Sequence, residues 1–405
     1  ILVSFNVQSE PAPYDLLMVA LVGGLAFGGL LRIHPGATSM LVLLALFAFS
    51  NILSAMLSFD FTRTLLYMGV TFYLGMSTIL VMFLMVEDEE RVLKIIWNAY
   101  IIAAFLGSLL AIAGVYRLMP GADLYAVGGR GRGLFKDPNV LGPFLVPPAL
   151  YLFSQFETKS GWKSILPALL LPVIMFGVLI SFSRGAWGNF AFAFAAYTGM
   201  RMFVAFFSPR RSGPGIGKIF IAVFAAITIG TSLIAILADN TEVGQTLTNK
   251  AQIYRNYDDN RFGNQAKALA RGLDNPIGVG PGLSEQALQM ATHSLYMRAL
   301  LENGWLGVTA LVAFILLTVW RGAMFVLTLR AKTSFLIAYA SYLGVLVNSV
   351  VIDTLHWRHF FLVLGLVWGG ILADYARQRV LKHEALLKSS APWLMGGAQA
   401  GAGAR

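Results

Sequence analysis

Long apolar runs recur along the whole chain and are separated by shorter polar segments. The runs are apolar on all sides rather than amphipathic, which is typical of helices surrounded by lipid or by other helices. A helix needs about 20 such residues to cross the hydrocarbon core of a bilayer. The pattern therefore predicts an all-α, polytopic integral membrane protein with about 11–12 transmembrane helices.

The predicted spans define one membrane domain over residues 1–405, with residues 239–304 as a large loop between two of the helices. The spans lie near residues 14–33, 38–59, 64–86, 92–116, 139–156, 164–182, 186–207, 219–238, 305–328, 334–352 and 358–375. The chain begins at Ile1, and a twelfth helix would precede that residue if the numbering starts after a removed segment.

Composition supports this interpretation. Hydrophobic residues make up 57% of the chain and charged residues 12%, against about 45–50% and about 25% in soluble domains. The formal charge is +10, but Lys and Arg gather at the ends of the apolar runs, which favours membrane topology over a nucleic-acid surface. The absence of cysteine excludes disulfides, thiolate metal sites and cysteine nucleophiles.

If successive spans cross the membrane in opposite directions, most of the short basic loops lie on one side. That side is cytoplasmic by the positive-inside rule. These loops contain Arg32, Arg91, Lys94, Lys159, Lys163, Arg210, Arg211, Lys218, Arg330 and Lys332. The opposite, outward side receives residues 117–138, the turn at 181–185, the long segment 239–304 and the turn at 353–359. Outward loops also carry arginines, but long loops count little in this rule.

Two outward segments combine arginine with small residues. In residues 128–139, Arg130 and Arg132 lie among glycines, and their guanidinium groups can bind a phosphate through paired N–H donors. Residues 137–139 predict the start of a helix. The alternative to a phosphate site is a basic loop that contacts anionic lipid headgroups. Arg184 lies at the edge of two apolar spans, where arginine indicates a functional site. The alternative for Arg184 is snorkelling to the interface.

The long outward loop is predicted to contain two helical stretches joined by a glycine-rich turn at residues 275–282. The first opens near Arg261 and carries Arg271. The second covers Ser284–Asn303 and places His293, Tyr296 and Leu300 on one face. An imidazole with a pKa near 6.5 can transfer a proton at neutral pH, although a lone helical histidine is usually only packed.

Two further groups of outward residues are weaker candidates. Asp258 and Asp259 form the only adjacent acidic pair in the outward loops, and such a pair is more typical of a solvated turn than of a divalent-cation site. His356 and Arg358 lie in the last outward turn, where an aromatic belt at the membrane interface is the alternative explanation.

Together these motifs resemble the O-antigen ligase family and its wider relatives, which include O-antigen polymerases and protein O-oligosaccharyltransferases. They occur in the family's order between residues 130 and 307. The motifs are Arg130-x-x-Gly133-x-Phe135-x-Asp137-Pro138-Asn139, Ser183-Arg184-Gly185, Arg261 upstream of Asn275-Pro276-x-Gly278-x-Gly280-x-Gly282, and His293 followed by Glu302-x-Gly304-x-x-Gly307. Ser294 departs from the pattern, since many relatives carry Asn after the histidine.

The resemblance implies an inverting, metal-independent glycosyltransferase of the bacterial inner membrane that acts in lipopolysaccharide biosynthesis. It would move polysaccharide from undecaprenyl diphosphate to a lipid A–core acceptor on the periplasmic side. In this chemistry Arg184 and Arg261 would stabilise the departing diphosphate, and His293 would be the general base. No cofactor, metal or nucleic-acid partner is predicted. The predicted substrate-binding residues are Arg130, Arg132, Asp137, Asn139, Arg271, Tyr296, His356 and Arg358.

Three alternatives follow from the same residues. A polymerase of this family would extend a second lipid-linked glycan, and a protein O-oligosaccharyltransferase would glycosylate a protein. A transporter of lipid-linked glycan is a different class of protein, but transporters usually place binding charges at the bilayer midplane between repeated halves. Here the charges gather at one face and no repeat is visible, which favours an enzyme.

Overall fold

The computed structural model describes residues 12–29, 34–208 and 262–390. Its helices are α1 (Pro13–Phe27), α2 (Thr38–Met56), α3 (Phe61–Glu87), α4 (Glu89–Val115), α5 (Pro138–Thr158), α6 (Ile165–Ile180), α7 (Arg184–Phe207), α8 (residues 262–274), α9 (Ser284–Leu288), α10 (Leu295–Leu327), α11 (Thr333–Asn348) and α12 (Arg358–Ser390). Short 3₁₀ helices cover Pro35–Ala37, Ala122–Leu124 and Gly161–Ser164. Strands β1 (Ala126–Val127) and β2 (Arg130–Gly131) pair antiparallel. The prediction of an all-α protein is confirmed.

Seven of the described helical segments are long and apolar enough to cross a membrane: α3, α4, α7, α10, α12, and α2 and α6 together with the 3₁₀ helices that precede them (Pro35–Met56 and Gly161–Ile180). The apolar helices α1 and α11 are shorter, and α5 carries Pro143, Pro147 and Pro148 in its interior. These helices indicate a multi-pass membrane protein. The predicted span near residues 219–238 lies outside the described residues.

Polar side chains define several helix starts. Asp60, Asp88, Asp137 and Ser183 are the N-cap residues of α3, α4, α5 and α7, and each side chain accepts a hydrogen bond from a backbone amide of the first turn. Such caps satisfy amides that the helix itself cannot pair. They fix where the apolar runs begin, and therefore where the intervening loops can carry functional residues.

The helices pack closely around a core that includes the fully buried Trp97 and Trp368. Helix α12 lies against α3, α11 against α7, α10 against α2, and α5 against α6 and α7. Small residues allow the close approach that is typical of membrane helices. A side chain at Gly344 of α11 would meet the Asn189 carboxamide oxygen of α7 at 2.3 Å.

Ion pairs mark one end of the bundle. Lys332 donates to Glu89 at 2.7 Å, and Arg377 also pairs with Glu89. Arg330 pairs with Asp374 at 3.0 Å. These residues lie at the start of α4, just before α11 and in the middle of α12, so two of the basic segments that the sequence assigns to one side lie together.

Two predicted boundaries differ from the structure. Helix α12 continues to Ser390, so the basic segment after residue 375 extends the last predicted span as a helix. Helix α10 begins at Leu295, ten residues before the predicted start at 305, and contains a break at Gly304 (φ 63°, ψ −163°). The sequence predicts two helices on the two sides of Gly304 rather than one, because glycine normally ends a helix.

Candidate functional site

Arg130 joins two of the predicted motifs. Its Nε donates to the Ser181 carbonyl oxygen at 3.0 Å, and its Nη2 donates to the Asn139 carboxamide oxygen at 2.8 Å. Asp137 caps α5 by accepting from the Asn139 amide at 2.8 Å. The Arg130 guanidinium therefore links the hairpin before α5 to the turn at residues 181–185. A guanidinium has five N–H donors, so further donors can bind a ligand.

Arg132 has a more local partner. Its Nε donates to the Leu124 carbonyl oxygen at 3.2 Å, within the same loop. Gly133 (φ 55°) allows this loop to approach α4, because a side chain there would meet the Gly107 carbonyl oxygen at 2.9 Å. The close approach that Gly133 allows is therefore made to a neighbouring helix of the protein.

The turn at residues 181–185 places Arg184 at the first position of α7. Ser183 caps the helix by accepting from the Ala186 amide at 3.3 Å, and the Arg184 side chain is exposed. Gly185 is required by packing, since a Cβ there would lie 2.4 Å from the carboxamide oxygen of Asn348. Asn348 is 3% exposed, and within the described part of the chain its carboxamide has no hydrogen-bond partner.

The predicted helix over Ser284–Asn303 is wrong. Helix α9 ends at Leu288 and α10 begins at Leu295, so His293 precedes the helix and does not share a helical face with Tyr296 and Leu300. The physical reason is the Ser294 hydroxyl, which accepts from the Met297 amide and caps α10. Serine favours such caps over helix interiors.

His293 adopts a left-handed backbone conformation (φ 49°). Its carbonyl oxygen accepts from Gln265 Nε2 at 3.1 Å, and the same amide group donates to the Val350 carbonyl oxygen at 3.1 Å. The Leu295 amide donates to the Ser349 carbonyl oxygen at 3.0 Å. Residues outside the common backbone regions cluster at functional sites, where the surroundings hold them in place.

Three predicted segments thus meet around the carboxyl end of α11. Asn348 contacts the Gly185 turn, Ser349 and Val350 hold the segment at His293, and Arg130 bonds back to the 181–185 turn. Arg184 and Arg130 supply cations, and His293 supplies an imidazole, a group that can transfer protons. The backbone segments that carry Arg130, Arg184 and His293 thus lie near one another, and the joint role of the three side chains stays a prediction.

Beside this cluster lies an ion network that the predicted site does not include. Arg298 Nε donates to Glu302 at 2.9 Å, and its Nη1 donates to Asp353. Glu302 also accepts from the Ser284 hydroxyl at 2.6 Å, and the Tyr67 ring lies 5.2 Å from the guanidinium carbon. The spacing of Arg298 and Glu302 by one helical turn is the signal that could have identified their pairing.

The turn at residues 353–359 is fastened to other helices by its polar residues. His356 Nε2 lies 3.0 Å from the Thr71 hydroxyl. Burial lowers the pKa of His356 to about 3, with the charges of Arg298 and Arg358 acting in the same direction, so the ring is neutral at physiological pH. Arg358 donates through Nε and Nη2 to Asp15, both at 2.6 Å, which ties α12 to α1.

The glycine-rich segment at residues 275–282 forms the predicted break after α8 and also pairs with the interrupted helix α10. The Val279 amide donates to the Leu301 carbonyl oxygen at 2.9 Å, and the Trp305 amide donates to the Pro276 carbonyl oxygen at 2.9 Å. A Cβ at Gly304 would lie 2.1 Å from the Pro276 carbonyl oxygen. The segment thus satisfies backbone groups that the helix break leaves unpaired.

Two further predicted residues bond to backbone carbonyl oxygens. Arg271 donates to the Ala287 carbonyl oxygen at 2.6 Å, and the Tyr296 hydroxyl donates to the Leu346 carbonyl oxygen at 3.4 Å. Arg261 and the acidic pair Asp258–Asp259 lie outside the described residues. Over residues 12–29, 34–208 and 262–390, no three His, Asp or Glu side chains are grouped as metal ligands.

Comparison with known proteins adds no name to this geometry. No protein-family model matches the chain, and no curated protein matches it.

Proposed function

We propose that this chain is an O-antigen ligase with 11–12 transmembrane helices in the bacterial inner membrane (about 20 residues per span). It would be an inverting, metal-independent glycosyltransferase that moves polysaccharide from undecaprenyl diphosphate to a hydroxyl of a lipid A–core sugar. The reacting groups would face the periplasm, where both lipid-anchored substrates can meet.

The observation that carries this proposal is the meeting of Arg130, the Arg184 turn and the segment at His293 around the carboxyl end of α11. The segments are distant in sequence, and together they supply the diphosphate-binding arginines and the base that the proposed transfer needs. Their meeting at one end of a bundle of apolar helices suits substrates whose lipid anchors remain in the bilayer.

The proposed reaction is a single displacement at the anomeric carbon of the donor sugar. The acceptor oxygen forms a bond to that carbon while the bond to the diphosphate oxygen breaks, and His293 takes the proton of the acceptor hydroxyl. Undecaprenyl diphosphate leaves with an additional negative charge. Arg184 and Arg261 would stabilise that charge, and Arg130 would orient the diphosphate, because guanidinium groups bind phosphate oxygens through paired N–H donors.

The test is glycan transfer by the purified full chain, with undecaprenyl-diphosphate glycan as donor, lipid A–core as acceptor and EDTA present. Arg184→Ala, Arg261→Ala and His293→Ala should each lower the transfer rate by at least about a hundredfold, the usual cost of losing a charge-stabilising or proton-transfer group. Arg91→Ala and His383→Ala are matched controls, since both residues are exposed and lie away from the site, and they should keep the wild-type rate.

Other outcomes separate the alternatives. Extension of lipid-linked glycan without transfer to lipid A–core would assign the chain as a polymerase. Transfer to a protein acceptor would assign a protein O-oligosaccharyltransferase. Movement of intact lipid-linked glycan across a vesicle membrane, with no new glycosidic bond, would assign a transporter. Wild-type transfer in all three site variants would refute the proposed residues.

A further inference from the structure

A groove lies on the other half of the bundle, away from the candidate site. It has a volume of about 390 Å³ and runs between the first half of α4, the last turns of α5 and the start of α6. Its apolar wall includes Ile101, Ile102, Leu166 and Leu170, residues that a membrane would surround with hydrocarbon. Polar side chains line one end of the groove.

Two lysines define the polar end of the groove. Lys159 is the C-cap of α5, and Lys163 lies in the 3₁₀ helix Gly161–Ser164 that leads into α6. Asn98 and Gln155 line the groove beside them, and its lining contains no acidic residue. The polar end therefore presents two positive charges next to neutral hydrogen-bonding groups.

These lysines differ from several other cations of the same half of the bundle. Arg201, Arg330, Lys332 and Arg377 each pair with a carboxylate. In the part of the chain that the structure describes, neither Lys159 nor Lys163 forms an ion pair. A negative charge from outside the protein can therefore bind there without displacing an internal partner.

Trp162 lies between the two lysines in sequence and is 88% exposed. Tryptophan prefers the boundary between hydrocarbon and headgroups. Its position places the two lysines at headgroup depth and the apolar wall of the groove at acyl-chain depth.

We propose that this groove, defined by Lys159, Lys163 and the apolar wall of α4 and α6, binds an anionic phospholipid. The phosphate lies between the two ammonium groups, the headgroup meets Asn98 and Gln155, and an acyl chain follows Ile101, Ile102 and Leu170. Basic pockets between membrane helices are known to recognise anionic headgroups. The site does not depend on the proposed glycan transfer.

The experiment is native mass spectrometry of the full chain in detergent with an equal mixture of phosphatidylglycerol and phosphatidylcholine of matched acyl chains. The wild type should retain phosphatidylglycerol in preference. The variant Lys159→Gln/Lys163→Gln should bind it about 25-fold more weakly, which is about fivefold per lysine. Phosphatidylcholine binding should not change.

Two controls separate a site from a general charge effect. Lys94→Gln/Lys382→Gln removes two exposed lysines that do not line the groove, and it should bind phosphatidylglycerol like the wild type. Ile102→Trp fills the apolar wall with both charges intact and should also lose the lipid, whereas Leu109→Trp on the same helix should retain it. Equal retention of the two lipids by the wild type, or the same loss in both lysine variants, would overturn the proposal.

Discussion

The Arg298 guanidinium forms an ion pair with the Asp353 carboxylate across 55 residues of sequence, with the two side chains 12% and 24% exposed. It joins the start of α10 to the turn before α12, beside the segment that holds His293. Because Arg298 also binds Glu302, two carboxylates surround one cation, and the removal of either takes a charge-assisted hydrogen bond from a partly buried guanidinium.

We expect Asp353→Asn to lower the free energy of unfolding by about 2 kcal/mol, because the substitution removes a hydrogen bond between charged groups while Arg298 keeps its pair with Glu302. Denaturation of the purified protein in mixed micelles measures this loss. Asp123→Asn is the control, since Asp123 is exposed in the short 3₁₀ helix Ala122–Leu124, and its effect should stay within about 0.5 kcal/mol. Equal effects of the two substitutions would contradict the structural role of the pair.

The same pair predicts a pH dependence. Burial raises the pKa of the Asp353 carboxyl, but the charge of Arg298, together with His356 and the Leu355 amide, outweighs it and holds the pKa below its usual value. The pair therefore stabilises the fold at any pH above the unfolded pKa of about 3.9, and this contribution is lost as the pH falls through the lower folded pKa. The difference between wild type and Asp353→Asn should be constant from about pH 8 to 5 and shrink below about pH 4.

His356 predicts a loss of stability in the same direction, but it begins at a higher pH. Its folded pKa of about 3 lies below the unfolded value of about 6.5, so between these two values the unfolded chain binds a proton that the folded chain does not. Stability should then fall with decreasing pH, by up to about 1.4 kcal/mol per pH unit. His356→Gln keeps a hydrogen-bonding group near Thr71 and should flatten this slope.

Unfolding measured from pH 7 to 4.5 checks the role of His356. His383→Gln serves as the control because His383 is exposed on α12, and it should leave the slope unchanged. Identical slopes in the wild type and His356→Gln would show that another group carries the titration.

Gly185 and Gly188 lie one turn apart on α7 and offer a matched pair of substitutions. A methyl group at Gly185 would meet Asn348, whereas nothing lies within 4 Å of a Cβ at Gly188. Gly185→Ala should destabilise the protein by about 1–3 kcal/mol through overpacking and should reduce glycan transfer by displacing Arg184. Gly188→Ala should stabilise the helix by up to about 1 kcal/mol.

Both glycine variants should be tested for unfolding and for transfer. Normal activity of Gly185→Ala would mean that the contact with Asn348 does not position the turn. A loss of stability in Gly188→Ala would indicate that the general helix environment, rather than this contact, disfavours a side chain.

The sequence predicts the helices of this fold well because each apolar run has to find a non-aqueous environment, whatever its neighbours. It also groups the loops by side, since alternation of spans fixes which loops share an end. The grouping of Arg130, Arg184 and His293 follows from that alternation. It does not depend on knowing any pairwise contact.

The sequence does not predict which side chains interact with each other in the folded protein. Asp15 and Arg358 are separated by 343 residues, and no local pattern links them. The spacing of its neighbours predicts a helix at His293, but the Ser294 cap begins the helix two residues later, at Leu295. In both cases a single side-chain interaction decides the outcome, and hydropathy carries no information about it.

The bond between Arg130 and Asn139 allows a final prediction. If Arg130 is oriented by Asn139, the variants Arg130→Ala and Asn139→Ala should not be additive, and a double-mutant cycle should give a coupling energy of about 1 kcal/mol. Arg132 supplies the control, because its Nε binds the Leu124 carbonyl oxygen rather than Asn139. A cycle between Arg132→Ala and Asn139→Ala should give a coupling within about 0.5 kcal/mol of zero.

The cycle distinguishes two roles for Arg130 when both stability and glycan transfer are measured. Coupling in stability alone would mean that Arg130 only links the hairpin to α5 and does not orient the substrate. Coupling in transfer as well is the result we expect, because the fixed guanidinium would hold the donor diphosphate only while Asn139 and Ser181 orient it. Additive effects on both quantities would refute the orienting role of Asn139.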